Sequence, residues 1–330
     1  MKQRGVALIL VLWVLSILML MAGSFTKTMR RESAGVMTHK ANAEANAQTQ
    51  AGIALAQAMM LQEDETKRWR VDGSIYEIET ENATMRIRIF SETGKIDINS
   101  ATSTLLHQVL LHAPLETQAQ IELENAILDW RDDDEITRPF GAEKTEYKAE
   151  KLNYAPRNKP FRSLEELQMV RGLNADVFAW MQPIFTVYAA GQTEVDFNLA
   201  SRDVLNVLPE IDVNLLDAYF LARQQAILNH ASMPKLPRIE NATQAMSQDI
   251  ESTTEAEVVP DISVVTVIVE AILDNDAQAA VQVVMEKIDG ANNLPFQILT
   301  QQNHIETPSL FAETMNSFVV ARYVEQNPMR

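Results

Sequence analysis

Residues 6–23 read VALILVLWVLSILMLMAG, a stretch with no charge and one polar side chain, Ser16. Eighteen residues at about 1.5 Å of rise give a helix of about 27 Å, enough to cross the hydrocarbon core of a bilayer. In lipid, every backbone polar group must be satisfied within the segment, so a spanning stretch like this one is a helix. A cleavable secretory peptide shares the basic start, but its apolar core is usually shorter, and Met21, Ala22, Gly23 and Ser24 fit a small-residue cleavage site only loosely. A permanent anchor fits the length. Lys2 and Arg4 favour a cytoplasmic N-terminus, while Lys27, Arg30 and Arg31 stand beyond the span, where anionic lipid headgroups lie.

The helical pattern does not stop at the membrane. Residues 41–61 are rich in Ala, Gln, Glu and Met, which lose little side-chain entropy in a helix. Ala47, Ala51, Ala54, Ala58 and Leu61 recur at three- and four-residue steps, which predicts one helix of roughly 50 residues with that small-residue face turned to a partner.

Charge divides the chain sharply. The first 31 residues carry five Lys/Arg and no acid, which leaves 23 basic against 45 acidic residues, a net of −22, for the rest. A body this acidic repels phosphate backbones and argues against nucleic-acid binding. With no cysteine, disulfide and thiolate chemistry are excluded. The five histidines are scattered, and His107 and His112 do not share a helix face, so no zinc site is read. At 46% apolar residues, 330 residues allow one sizeable core and a second body.

Ile75–Glu79 and Met85–Phe90 alternate apolar and polar residues around Asn82, the pattern of a hairpin, with Trp69 and Val71 as an earlier strand. A short internal repeat follows. Gly94–Ala101 (GKIDINSA) is echoed by Thr193–Ala200 (TEVDFNLA), each read as a strand leading into a helix, with Asn99 and Asn198 capping the turns. Between them, Pro114–Trp130 predicts a helix with Leu115, Ala119, Leu123, Ala126, Ile127 and Trp130 on one side. Phe161–Gly172 predicts another, with Ser163 as N-cap, Glu166 completing a capping box and Gly172 as the stop. A third runs from Ala175 to Gln182. This helix–Gly turn–helix unit resembles a helix-hairpin-helix, but Arg171 is nearly its only base, so it is read as a packing unit.

Asp129, Asp132, Asp133, Asp134 and Glu135, followed by Glu143 and Glu146, form the sharpest chemical feature. Clustered carboxylates repel one another unless solvated or bridged, and hard oxygen donors at such steps suit calcium. A solvated acidic loop is the competing reading; the spacing is not that of an EF-hand. Paired acids also serve glycosidases, but these lie in one stretch without an aromatic-lined cleft, so a membrane-tethered hydrolase is disfavoured.

Arg4–Gly5 abutting the apolar run, and the long helix beyond it, resemble the type IV pilin-like pseudopilins of type II secretion. In that family a short leader ending in Gly is removed by a prepilin peptidase. Here the leader would be residues 1–5, with Gly5 and Val6 flanking the cut. Leu10 stands where the family usually carries a Glu, and at this filament-interface position the change suits a subunit with nothing beyond it. Further stretches are similar to the K subunit: Gly94–Ala101, Ile127–Asp134, Gly141–Glu143, Tyr154–Phe161, Ser163–Leu167, Val170–Gly172 and Val195–Ala200.

The resemblance covers about residues 1–230. It implies an α+β fold, a type IV pilin-like long N-terminal helix packed on a small antiparallel sheet with a large, mostly helical insertion. The corresponding divisions are 1–5 leader, 6–62 long helix, 63–98 first sheet portion, 99–192 helical insertion, 193–232 second repeat, and 233–330 linker and remaining sheet. It further implies a minor pseudopilin, not an enzyme, at the tip of the pseudopilus. Its partners would be I- and J-type minor pseudopilins, the major pseudopilin, the prepilin peptidase and the inner-membrane assembly platform, with no nucleic acid. The chain would cross the inner membrane once, with its bulk in the periplasm. Calcium would be held by Asp129, Asp132, Asp134 and Glu143; Lys144 departs from the acid usual after the Gly-Ala-Glu triplet. A membrane-anchored periplasmic scaffold or receptor is the alternative.

Residues 231–330 resemble the family poorly. Pro234–Pro237 opens a linker, 241–259 is polar and acidic, Val264–Val269 predicts a strand, Ala271–Met285 a helix, and Ser317–Tyr323 a strand.

Overall fold

The computed structural model describes residues 6–189, 192, 194–229, 231, 233–239, 263–288, 295–303 and 308–324, with side chains from Leu10 onward. Residues 1–5, read as a leader ending in Gly5, and the 241–259 segment lie outside the described residues.

One helix, α1 (Val6–Met60), runs 55 residues without a break. From Leu10 to Lys40 it is exposed, and this apolar part is long enough to cross a membrane. Its last turns lie on a six-stranded sheet. Two of the strands are β1 (Asp72–Glu79) and β2 (Ala83–Ser91), the hairpin expected from the alternation. The other four are β5 (Val264–Leu273), β6 (Gln278–Lys287), β7 (Phe296–Gln302) and β8 (Val319–Val324). The order is β7-β6-β5-β2-β1-β8. Neighbours are antiparallel except β1 and β8, which pair in parallel, so the sheet is mixed rather than wholly antiparallel.

Alternation sorts the side chains of β2. Met85, Ile87 and Ile89 join Val265, Val267, Val269, Val281, Val283 and Met285 beneath Ile53, Ala56 and Met60 of α1. Gly52 allows the close approach: a Cβ there would sit 2.6 Å from Val269 Cγ1. The helix therefore buries Ala45, Thr49, Gly52, Ile53, Ala56 and Met60, and the predicted Ala47, Ala51, Ala54, Ala58 and Leu61 face is the outward one. Small residues occur on both sides of this helix, so spacing alone does not select the buried side.

On the other sheet face, Arg86 is buried with Glu77 at 2.6 Å and donates to the Leu310 carbonyl and the Asn316 Oδ1. Trp69 and Val71 form no strand; they are buried in the lead into β1, with Trp69 stacked on Tyr76 at 4.2 Å between centroids. Ala271–Met285 is the β5–β6 hairpin rather than a helix, turning at Asp276, whose φ is 63°.

Between β2 and β5 lies a helical unit with its own core. It contains β3 (Ile96–Asp97), α2 (Ser103–Leu110), α3 (Thr117–Arg131), α4 (Lys144–Ala149), α5 (Ala175–Met181), β4 (Phe185–Thr186), α6 (Arg202–Leu205) and α7 (Leu216–Leu228). The strands β3 and β4 pair in parallel. Helix α3 buries Leu123, Ala126, Ile127 and Trp130 on the expected side. The segment Leu164–Met169 is 3-10 helix, not α-helix, and Ser163 makes no side-chain cap there. Glu166 instead accepts from Trp130 Nε1, Arg157 Nη1 and the Arg162 N–H. Val170, in extended conformation, ends the segment, its N–H donating to the Leu167 carbonyl; Gly172, at φ 86°, lies in the turn that follows rather than at the stop.

The internal repeat is a repeated turn. Asp97 accepts from the Asn99 N–H and Asp196 from the Asn198 N–H, at 2.8 and 3.0 Å. Thr102 and Ser201 then cap α2 and α6. The aspartates thus hold the turns expected of Asn99 and Asn198. Asn99 clasps the backbone of Phe161 through both amide atoms. Only the first copy enters from a strand; residues 194–196 are not one.

Candidate functional site

Helix α3 ends at the acidic loop, and its last turn fixes the geometry there. Trp130 is fully buried against Tyr147 and Phe161. Arg131 donates to the Ile98 and Ala101 carbonyls, tying the helix end to the first repeat turn. Between these two anchors Asp129 is left pointing inward at 0% exposure.

The chain then turns back so that residues 138–143 cover Asp129. The Arg138 N–H donates to the Asp129 carboxylate, and the Gly141 N–H donates to the Arg138 carbonyl at 2.9 Å. A Cβ on Gly141 would lie 2.1 Å from Asp129 Oδ2, so the Gly-Ala-Glu triplet passes where no other residue fits. Glu143 follows at 3% exposure and opens α4, its N–H donating to Glu146 Oε2 at 2.9 Å. Glu146 thereby completes a capping box with Glu143.

Of the four residues read as calcium ligands, Asp129 and Asp132 are joined through Arg138. Its Nε lies 3.2 Å from Asp129 Oδ1 and its Nη2 3.1 Å from Asp132 Oδ2. Asp134 is exposed; its Oδ1 accepts from the Ile136 N–H at 2.7 Å and its carbonyl from Asn158. Asp132 Oδ1 and Glu143 Oε1 are buried without a hydrogen-bond partner. Burial first, then the charges of Asp129, Asp132 and Asp134, push the Glu143 carboxyl up to about 7. Asp129 is also raised, by burial foremost and by Asp132, although the Arg138 and Ala142 N–H groups oppose the rise.

Among the described residues no three carboxylates are gathered closely enough to enclose a metal ion as they stand. The donor chemistry nonetheless suits a hard cation: all-oxygen ligands, two buried oxygens lacking any donor, and mutually repelling charge. Arg138 was not legible as part of this centre, since one base among acids reads as surface. Its place four residues after Asp134, just before Pro139, was the available signal.

The residues read as flanking a processing cut and as a filament contact are only partly described. Val6 begins α1, with its backbone alone described, and Leu10 is 62% exposed on the apolar helix.

The family profile described as type II secretion system (T2SS), protein K, matches residues 87–190, which span β2 through the acidic loop and α5. A "Type II secretion system protein K" of Klebsiella pneumoniae is 26% identical over 257 residues, 70% of this chain and 78% of that protein. One from Pectobacterium carotovorum subsp. carotovorum is 22% identical over 260 residues, 72% and 76% respectively. Among solved structures, a chain of the GspK-GspI-GspJ complex of the enterotoxigenic Escherichia coli type 2 secretion system shares the fold. Its TM-score is 0.51 at 13% identity, covering 79% of this chain and 96% of that one.

Proposed function

We propose, from the premise that this chain belongs to the type II secretion system protein K family, that it caps the pseudopilus and helps to start its assembly. As a minor pseudopilin it is an assembly component, and its relatives are named as parts of the same secretion machinery. The observation that carries the reading is α1: one unbroken helix whose apolar half stands free while its far end is fixed under a sheet. Such a helix is built to lie beside others in lipid. Leu10 removes the need for a neighbour's amine at that depth, since an unpaired carboxylate in hydrocarbon is costly. A subunit without one tolerates an open end above it.

In this reading α1 crosses the inner membrane once, N-terminus in the cytoplasm, with the sheet and helical unit in the periplasm. I- and J-type minor pseudopilins are its neighbours, a placement supported by the related GspK chain, which was solved in complex with GspI and GspJ. The major pseudopilin and the assembly platform follow from that place in the filament. Asp129, Asp132, Asp134 and Glu143 are the residues that would hold calcium, which would supply the positive charge that these carboxylates lack.

The test is the mass of the mature N-terminus after expression with and without prepilin peptidase. The expected product begins at Val6. An intact Met1 in the presence of the enzyme, or cleavage near Ala22, overturns the reading.

A further inference from the structure

The acidic centre already contains a cation, and it belongs to the chain. The Arg138 guanidinium spans Asp129 Oδ1 and Asp132 Oδ2 at 3.2 and 3.1 Å, and its own N–H donates to the Asp129 carboxylate. Asp129 is wholly buried, so its ionised form needs this neighbour. Arg131 also feels the Asp132 charge, but its donors go to the Ile98 and Ala101 carbonyls, so Arg138 is the guanidinium that bonds these acids. Glu143 Oε1 and Asp132 Oδ1 are left buried with nothing to accept from. The Arg138 side chain is 42% exposed, whereas its partner Asp129 is at 0%. It can therefore swing into solvent at little desolvation cost, while the carboxylates it leaves cannot follow.

We infer that Arg138 is a tethered counter-ion that shares the Asp129–Asp132 seat with calcium, so that calcium enters by displacing the guanidinium and binds more weakly because of it. The inference rests on the calcium reading above. It explains why the carboxylates are held apart although the loop is built around them: the guanidinium stands between two of them. It also gives the residue a specific role. Without metal, Arg138 keeps the loop on the end of α3; with metal, it is released to the surface.

The experiment is calorimetric titration of calcium into the full chain in detergent micelles, for wild type, Arg138→Gln and Arg138→Lys, with melting temperatures measured in chelator. Arg138→Gln is expected to bind calcium at least tenfold more tightly than wild type while melting lower in chelator. Arg138→Lys, which keeps the charge but not the two-pronged fork, is expected between the two. Binding by Arg138→Gln alone supports the inference in its strongest form. Equal or weaker affinity in Arg138→Gln overturns it and leaves the calcium reading standing. Absence of binding in all three proteins overturns both. If Arg138→Gln does not fold, the Arg138→Lys affinity decides: no gain over wild type overturns the inference.

Discussion

Glu143→Gln keeps the shape of the side chain and removes its charge. In the folded, metal-free protein burial, then Asp129, Asp132 and Asp134, raise this carboxyl from its ordinary 4.5 to about 7. The unfolded chain titrates near the ordinary value. The folded state thus holds the proton more tightly, so this group's contribution is intact below about pH 4.5, is lost as pH rises toward 7, and is flat above. A displacement of about 2.5 pH units, at about 1.4 kcal/mol each, comes to roughly 3.5 kcal/mol in full. With calcium chelated, the stability of Glu143→Gln relative to wild type should therefore improve by about 2.5 kcal/mol between pH 5 and pH 8, since part of the change already lies below pH 5. Saturating calcium at pH 8 should reverse the order, because the ionised carboxylate then has a cation to meet. Denaturant midpoints of the full chain in detergent, from pH 5 to 8, would measure both. A difference that does not change with pH would mean that Glu143 ionises as in water, and the picture of converging, unrelieved carboxylates would fall.

Three further outcomes follow from the same reasoning. Gly52→Val places a branched side chain where even a Cβ lies 2.6 Å from Val269 Cγ1, and should cost about 1–3 kcal/mol in thermal or denaturant unfolding; an unchanged midpoint would show that α1 does not lie on β5 as described. Asp72 is pushed up by burial, but Arg223, Arg70 and Ser74 outweigh this and hold it well below the usual carboxylate range. Asp72→Asn should cost about 3 kcal/mol at neutral pH by stranding buried Arg223. Because Asp72 stabilises the fold above about pH 4 and loses that effect as pH falls through its depressed native value, the gap should narrow in acid; a gap that widens there would refute the pairing. Calcium should raise the melting temperature of the full chain, and Asp132→Ala combined with Asp134→Ala should abolish the rise; an unaltered response would move the ion elsewhere.

Much of this architecture is legible in the residues, for identifiable reasons. An uncharged apolar run next to a basic start has few other fates, and the strict alternation of Met85, Ile87 and Ile89 against Arg86 and Arg88 fixes both strand and face. Elsewhere local composition pointed away from the answer. Ala271–Met285 is rich in helix formers, but Ala271 and Ala279 face each other across β5 and β6, and the Asp274–Asp276 turn outweighs propensity. On α1 alanine occurs on both sides, so only the partner sheet decides that Ala56 is buried and Ala54 is not. Glu166 illustrates a third difficulty. Its spacing from Ser163 reads as a capping box, but Trp130 and Arg157 arrive from distant parts of the chain and recruit it. The acidic centre was visible as acids alone; the base between them became apparent only once the loop was folded back.

The sheet under α1 is made by the two ends of the chain. Ile53, Ala56 and Met60 rest on β5 and β6, which arrive about two hundred residues later in synthesis. The helical unit in between, with a core of its own, can condense first. The underside of α1 therefore stays uncovered until the last fifth of the polypeptide has been made. Any premature stop before residue 264 removes four of the six strands and leaves an anchored rod with no head seated on it. In this late closure whole copies and fragments differ: only a chain that includes β5 and β6 covers Ile53, Ala56 and Met60.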